Sequence, residues 1–515
     1  MEEAESNLYF TRIVKTSAFV FIAVMLSKVL GYAYKIVIAR YFDAEVYGLF
    51  SLSMIVIGIA VSIAGVGLFE GLVRQISIYR GQKETKSIIS LVYRSKNFLI
   101  ISGFVLFGIV FLSADLISIK LFHEPRLTIF IQVMSLAIPF ILLANLFLSV
   151  LRSYEQIKTQ SILNNIIQNS VKFFILLFFI FLGLQIASVP LSYLFAYVIL
   201  ALSAWFYGKK MLVKKSLDVN NKDGKKMLLE VMKYSWPLMF IGVLTSIFYW
   251  TDSIIIGYFM DVENVGIYNV AITLVAFLGI VPELFIQLLF PVATLNLSQN
   301  KTKFVKLLIK RVGKWILIIN SLIALLCFFF APQLVLWLFN EEFMPAVNVL
   351  RMLSIGALFT TLAAYFINLL TIAAKTKQIL ANLIFVAIIN LGLDLVMVPT
   401  LGLNGAAIAT SISGFILFLI TAYQVKRSYF FAPLENKSNK AMVIVLITFF
   451  IGSIFLFLSY SVWMSFIGGI IIIILFLLNI ISIRLFDEQD ISLFKKIVWK
   501  AIFYTGFTKL KSKTR

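Results

Sequence analysis

Lys28 and Lys35 lie seven residues apart in LSKVLGYAYKIVIARYF (26–42), inside a stretch whose flanks suit a membrane-spanning helix. Seven residues is close to two helical turns, so both ammonium groups leave the same face. Lys28 lies about 15 residues, or roughly 22 Å, from the inner end of the span, too deep to reach water inward. Lys35 is near the outer end and within snorkelling reach of it. A cation at such depth either faces a cavity that receives an anion or pairs with an internal acid, Glu70 or another. Lys172 closes a stripe of Asn165, Gln168 and Asn169 at three- to four-residue spacing, which reads as a cavity wall or as helix–helix glue. Arg351, near an outer end, can bind substrate or anchor at the interface.

The acidic set lies elsewhere. Asn390 and Asp394 are i and i+4, so their oxygens share one helix face one turn apart. The next span brings Thr410 towards them, and Asp252 can supply a second carboxylate. Hard cations take such oxygen ligands, so a cation site is one reading and packing glue the other. Ionisable residues inside spans include Lys28, Lys35, Glu70, Lys172, Asp252, Glu283, Arg351 and Asp394. Cations favour the first half and acids the second. Glu70 and Glu283, near inner ends, suit a structural ion pair as well as a function. One cysteine, Cys327, and one histidine, His123, exclude disulfides and cysteine metal sites.

The elements that must hold these groups are membrane helices. The 515 residues are 61% hydrophobic and 13% charged, and mean hydropathy is +0.99, whereas soluble chains are about a quarter charged. Apolar runs of about 20 residues, the length that crosses a bilayer, recur throughout. Fourteen spans are predicted, from 13–39 to 462–483. With the N-terminus inside, 38 of the 45 Lys and Arg fall in cytoplasmic segments, so both termini are expected in the cytoplasm. The net charge of +21 is thus a topology signal that favours anionic lipids rather than nucleic acid.

IARYFDAEVYGLFSL (38–52) matches IGYFMDVENVGIYNV (256–270) at an offset of 218, pairing Asp43 with Asp261 and Gly48 with Gly266. Each repeat covers six helices, so the halves share an orientation and relate by an axis along the membrane normal, with a substrate site expected between them. The expected organisation is an N-terminal lobe (1–208), a cytoplasmic linker (209–233), a C-terminal lobe (234–425), and two extra helices with a basic tail (426–515).

The chain resembles the polysaccharide-transport branch of the multidrug/oligosaccharidyl-lipid/polysaccharide exporter superfamily, most clearly in LSKVLGYAYKIVIARYFDAEVYGLFSL (26–52). It is also similar to the related lipid II flippases, whose Ser-Arg-Val-Leu-Gly-Phe-Ala segment matches Ser27–Ala33 and places their cavity arginine at Lys28. Their second cavity arginine falls at Tyr34, so the cation here is displaced by one position to Lys35. Their sodium site implies a role for Asp252, Asn390 and Asp394, for the carbonyl of Ala406 and for the hydroxyl of Thr410.

The resemblance implies an all-α flippase that carries a polyprenyl-(pyro)phosphate-linked oligosaccharide to the outer leaflet by alternating access. Lys28, Lys35, Lys172 and Arg351 would serve the substrate, and Na+ or H+ would be the coupling ion, with no covalent cofactor. It further implies a prokaryotic plasma membrane, membrane lipids and glycan-assembly proteins as partners, and a functional monomer. The alternatives are a cation-coupled drug exporter of the same superfamily, an uncoupled scramblase, and an oligosaccharide polymerase or ligase. The last would need catalytic side chains on a sizeable outer loop, and the longest outer loop, around 120–126, offers only His123 and Glu124.

Overall fold

The computed structural model describes residues 23–212, 221–298, 302–373, 375–429, 436–458 and 462–482. Every regular element among them is helical. Helix α1 (23–41) is followed by α2 (Ala44–Gly65) and α3 (Leu68–Gly81). The side chain of Asp43 starts α2 by accepting from Val46 N at 2.7 Å, satisfying an amide that has no partner within the helix. Val66 (φ 48°) and Gly67 (φ 64°) break α2 from α3, since a left-handed pair cannot continue a right-handed helix. The first lobe continues with α4 (Thr85–Asp115), α5 (Leu127–Ser135), α6 (Ile138–Ser153), α7 (Ile157–Ser161), α8 (Gln168–Phe181) and α9 (Ser188–Leu212). A π-helical segment, Ile162–Ile167, joins α7 to α8 and carries Asn165. Wide turns of this kind inside helices often mark functional positions.

The second lobe comprises α10 (Asn221–Phe259), α11 (Val262–Ser298), α12 (Thr302–Phe329), α13 (Ala331–Leu338), α14 (Ala346–Ile372), α15 (Thr376–Leu401) and α16 (Leu403–Tyr429). Helices α17 (Asn436–Leu458) and α18 (Val462–Ser482) pack on each other and on α12, outside both repeats. Ten helices among the described residues are long and apolar enough to cross a membrane, or eleven when the bent pair α5 and α6 counts as one span. The expected count of fourteen is not reached. The first predicted span, 13–39, is described only from residue 23, and the described apolar part of the last is the short Phe466–Ser482.

The expected linker at 209–233 is partly helix, because α9 runs to Leu212 and α10 begins at Asn221. Leu228 and Val231 of that stretch are buried, so its apolar side is packed rather than solvated.

The lobes meet where the repeat predicts equivalent residues. A Cβ on Gly48 of α2 would lie 2.0 Å from the Val262 carbonyl oxygen, and one on Gly266 of α11 would lie 1.9 Å from that of Ala44. Ala44 and Val262 are themselves 218 residues apart. Each lobe thus presses the same glycine against the same backbone position of the other, the reciprocal pattern of a two-fold contact. Only glycine allows backbones this close.

Candidate functional site

Helix α1 lays its lysine stripe along α11, so one seam joins the first lobe to the second. Lys28 Nζ stands 2.8 Å from Glu283 Oε2. One turn on, the rings of Tyr32 and Phe277 pack against each other, tilted by 30°, at 4.4 Å between centroids. At Lys35, Nζ reaches Thr273 Oγ1 at 3.5 Å, and the same hydroxyl lies 3.0 Å from the Tyr47 hydroxyl. The spacing 28, 32, 35 is a heptad-like face, and the chains run antiparallel along it. The Lys28 and Glu283 side chains keep 29% and 41% of their surface exposed, so the pair borders open space rather than core. Beside Glu283, the second lobe has a cavity of about 300 Å³ lined by Gly279, Pro282, Thr360, Thr361 and Asn368.

Glu70 is not the acid that meets Lys28. It pairs with Arg152 of α6 within the first lobe. Lys172 lies on the first-lobe side of α1, with its Nζ 4.7 Å above the Tyr34 ring. Three residues before it, Asn169 Nδ2 donates to Ser27 Oγ at 2.8 Å, so the polar stripe is in part glue between α8 and α1. Arg351 is not brought to this group. Its Nε donates to Phe328 O at 3.3 Å, and it lines a separate cavity with Ser453 and Leu456 of α17.

The acidic set converges in the second lobe. Thr410 Oγ1 donates to Asp252 Oδ2 at 2.6 Å, and the Tyr268 hydroxyl donates to the same oxygen. Asn390 Nδ2 lies 3.5 Å from Thr410 Oγ1. Asp394 is fully buried, and its carboxyl group lies against that of Asp252. Neither Asp394 oxygen accepts a hydrogen bond among the described residues. Ala406 is buried on α16 one turn before Thr410. Two carboxyl groups held together away from water need a shared positive charge, a cation or a proton. Carboxylate, amide and hydroxyl oxygens without cysteine or histidine suit a hard cation, so the donor set fits the predicted one.

Tyr268 was missed by sequence reasoning, as were the Glu283 partner of Lys28 and Thr273. The repeat holds the signal for the first. Tyr34, Phe50, Lys172 and Ser192 precede Asp252, Tyr268, Asn390 and Thr410 by 218 residues each. The first-lobe set is also assembled in space: the Tyr34 hydroxyl lies 3.0 Å from Ser192 Oγ, and its ring packs edge-on to Phe50 at 5.6 Å. The Lys172 ammonium therefore sits at the first-lobe counterpart of the carboxylate cluster.

Two repeated six-helix lobes with a charged seam between them define a multi-pass membrane protein. The family of polysaccharide biosynthesis proteins matches residues 13–296, and the chain belongs to that family. It is 24% identical over 341 residues to an uncharacterized membrane protein of Methanocaldococcus jannaschii, a match covering 65% of this chain and 66% of that one. Among solved structures it is similar to the lipid II flippase MurJ in an inward closed conformation, with a TM-score of 0.68, 18% identity, and coverage of 88% of this chain and 97% of that one. An inward-facing multidrug resistance MATE transporter matches with a TM-score of 0.65, 14% identity and 80% and 98% coverage. A transporter of the same superfamily from Pyrococcus furiosus matches at 0.57, with 15% identity and 81% and 95% coverage. At these identities the likeness is one of fold, and the neighbours carrying it are named as transporters and flippases rather than enzymes.

Proposed function

We propose that the protein is a flippase that moves a polyprenyl-(pyro)phosphate-linked oligosaccharide between the leaflets of a prokaryotic plasma membrane, with both termini in the cytoplasm. The observation that carries this reading is the Lys28–Glu283 pair, which bridges the lobes and borders open space. A phosphate is a stronger multivalent acceptor than one carboxylate, so a lipid phosphate entering the seam exchanges with Glu283 at Lys28. Lys35, two turns further out on the same face, offers the next cationic contact. Glu283, released, faces the small cavity beside Thr360, Thr361 and Asn368, where its oxygens and the Asn368 amide can receive sugar hydroxyls. The lipid tail stays in the bilayer, since the charge and the sugars alone need shelter from it.

Breaking the bridge between the lobes is the step that lets them rock. Asp252, Asn390, Asp394 and Thr410, with Ala406 behind them, would hold the coupling cation, Na+ or H+. The ion would supply the charge that the carboxyl pair lacks and favour one lobe arrangement over the other. The test is reconstitution into vesicles with defined polyprenyl-pyrophosphate sugars, varying the sugar. Translocation that needs Lys28 supports the reading, and none with any glycan sinks it.

A second reading, cation-coupled drug export, is favoured by one observation: Glu283 is an acid on the wall of open space. Lys28→Ala separates the two, because loss of sugar-lipid movement with dye export retained would favour the exporter.

A further inference from the structure

Arg351 occupies the sixth position of α14, far from the lysine seam. A guanidinium carries five N–H donors and no acceptor, and among the described residues Arg351 makes one hydrogen bond, from Nε to Phe328 O. Arg351 also lines a cavity of about 470 Å³, together with Phe328, Asn348, Met352, Ile355, Ser453 and Leu456. No carboxylate is among those residues. A half-buried guanidinium inside a membrane span, with an adjoining space and no acid among the described lining residues, is a cation awaiting an anion.

Depth and wall chemistry say what kind of anion. Arg351 lies about 8 Å from the start of α14, whose full length is about 40 Å. With a hydrocarbon core of about 30 Å, the guanidinium falls near the boundary between headgroups and acyl chains. Polar groups, Asn348 and Ser453, lie beside apolar ones, Met352, Ile355 and Leu456, as an amphiphile requires. The third wall comes from α17, a helix outside the repeat, so the cleft is separate from the pseudo-two-fold seam.

We propose that the cleft between α12, α14 and α17 binds a phosphate-bearing anion, with the Arg351 fork on the phosphate and Asn348 and Ser453 at the rim. Planar paired donors match phosphate oxygens in a way that a lysine does not. The site does not depend on the flippase reading, because it shares no residue with the lysine seam. Its ligand is a lipid headgroup or free phosphate, and the experiment separates them.

The full-length protein, delipidated in detergent, is titrated with phosphatidylglycerol, with phosphatidylcholine and with inorganic phosphate, following bound mass and thermal unfolding. The expected result is preferential binding of phosphatidylglycerol, weakened about tenfold in Arg351→Gln, the loss of one charge-assisted contact. Ser453→Phe, which fills the cleft and leaves the arginine in place, weakens it likewise and serves if Arg351→Gln does not fold. Lys86→Gln, which removes an exposed cation of α4 outside both sites, leaves it unchanged. Saturation by inorganic phosphate alone, lost in the same two variants, assigns the site to a soluble anion. Unchanged binding in Arg351→Gln or in Ser453→Phe overturns the proposal, and so does equal loss in Lys86→Gln.

Discussion

Lys28 of α1 and Glu283 of α11 join the two lobes through a 2.8 Å ion pair, and the geometry makes each the other's stand-in for a ligand. Lys28→Gln is expected to cut translocation of a polyprenyl-phosphate sugar in vesicles by at least about tenfold, as one charge-assisted contact is lost. Glu283→Gln removes the competitor for the same ammonium, so the phosphate should bind several-fold more tightly in equilibrium titration. If Glu283→Gln weakened phosphate binding as much as Lys28→Gln does, exchange at the seam would be wrong.

The carboxyl pair makes an opposite prediction about stability. Asp394 is fully buried, lies against Asp252 and has no hydrogen-bond donor among the described residues. Asp394→Asn removes one of two facing charges and should stabilise the ion-free protein, by about 1–3 kcal/mol. Sodium should raise the thermal midpoint of the wild type and not that of the variant. A midpoint equally sodium-sensitive in both would exclude Asp394 as a ligand.

The glycine crossing gives a structural prediction. Alanine at Gly48 or Gly266 would place a methyl carbon within about 2 Å of a backbone oxygen, and neither backbone can retreat without shifting a lobe. Each variant should lose about 3 kcal/mol or more, read as a lower unfolding temperature and poor yield. Gly58, around which a Cβ meets nothing within 4 Å, is the matched control, and Gly58→Ala should be close to neutral.

The counterpart sites predict a graft. Lys172 occupies the position equivalent to Asn390, and Tyr34 that equivalent to Asp252. Tyr34→Asp combined with Lys172→Asn rebuilds part of the second-lobe cluster in the first. Isothermal titration with sodium should then show a second, weaker equivalent of binding. An unchanged stoichiometry in the folded double variant would sever the link between the two clusters.

Much of this was legible in residue order. Mean hydropathy gave the membrane class, and the repeat paired Gly48 with Gly266 as equivalent positions, though not as neighbours in space. The i, i+4 spacing of Asn390 and Asp394 gave one face of the acidic cluster. What residue order withheld was partnership between helices. Periodicity says which face of α1 carries Lys28, but only packing says that α11 lies against it, so the acid proved to be Glu283 and not Glu70. The same holds for Arg351: its depth was readable, but the helix that shares its cavity, α17, was not. Tyr268 by itself looks like any phenol among aromatic residues, and only the repeat, which sets it opposite Phe50, marks its position.

Gly48 and Gly266 meet as the two copies of a homodimer would, and yet they belong to one polypeptide. In a true homodimer every substitution appears twice, so a lysine facing a glutamate would put both residues on both sides. Here the counterpart of Lys28 is Ser246 and that of Glu283 is Gly65. Joining the halves in a single chain freed each from copying the other. One could grow basic and the other acidic while the shared glycines kept them docked, and that acquired inequality gives a molecule built on near-symmetry a built-in polarity.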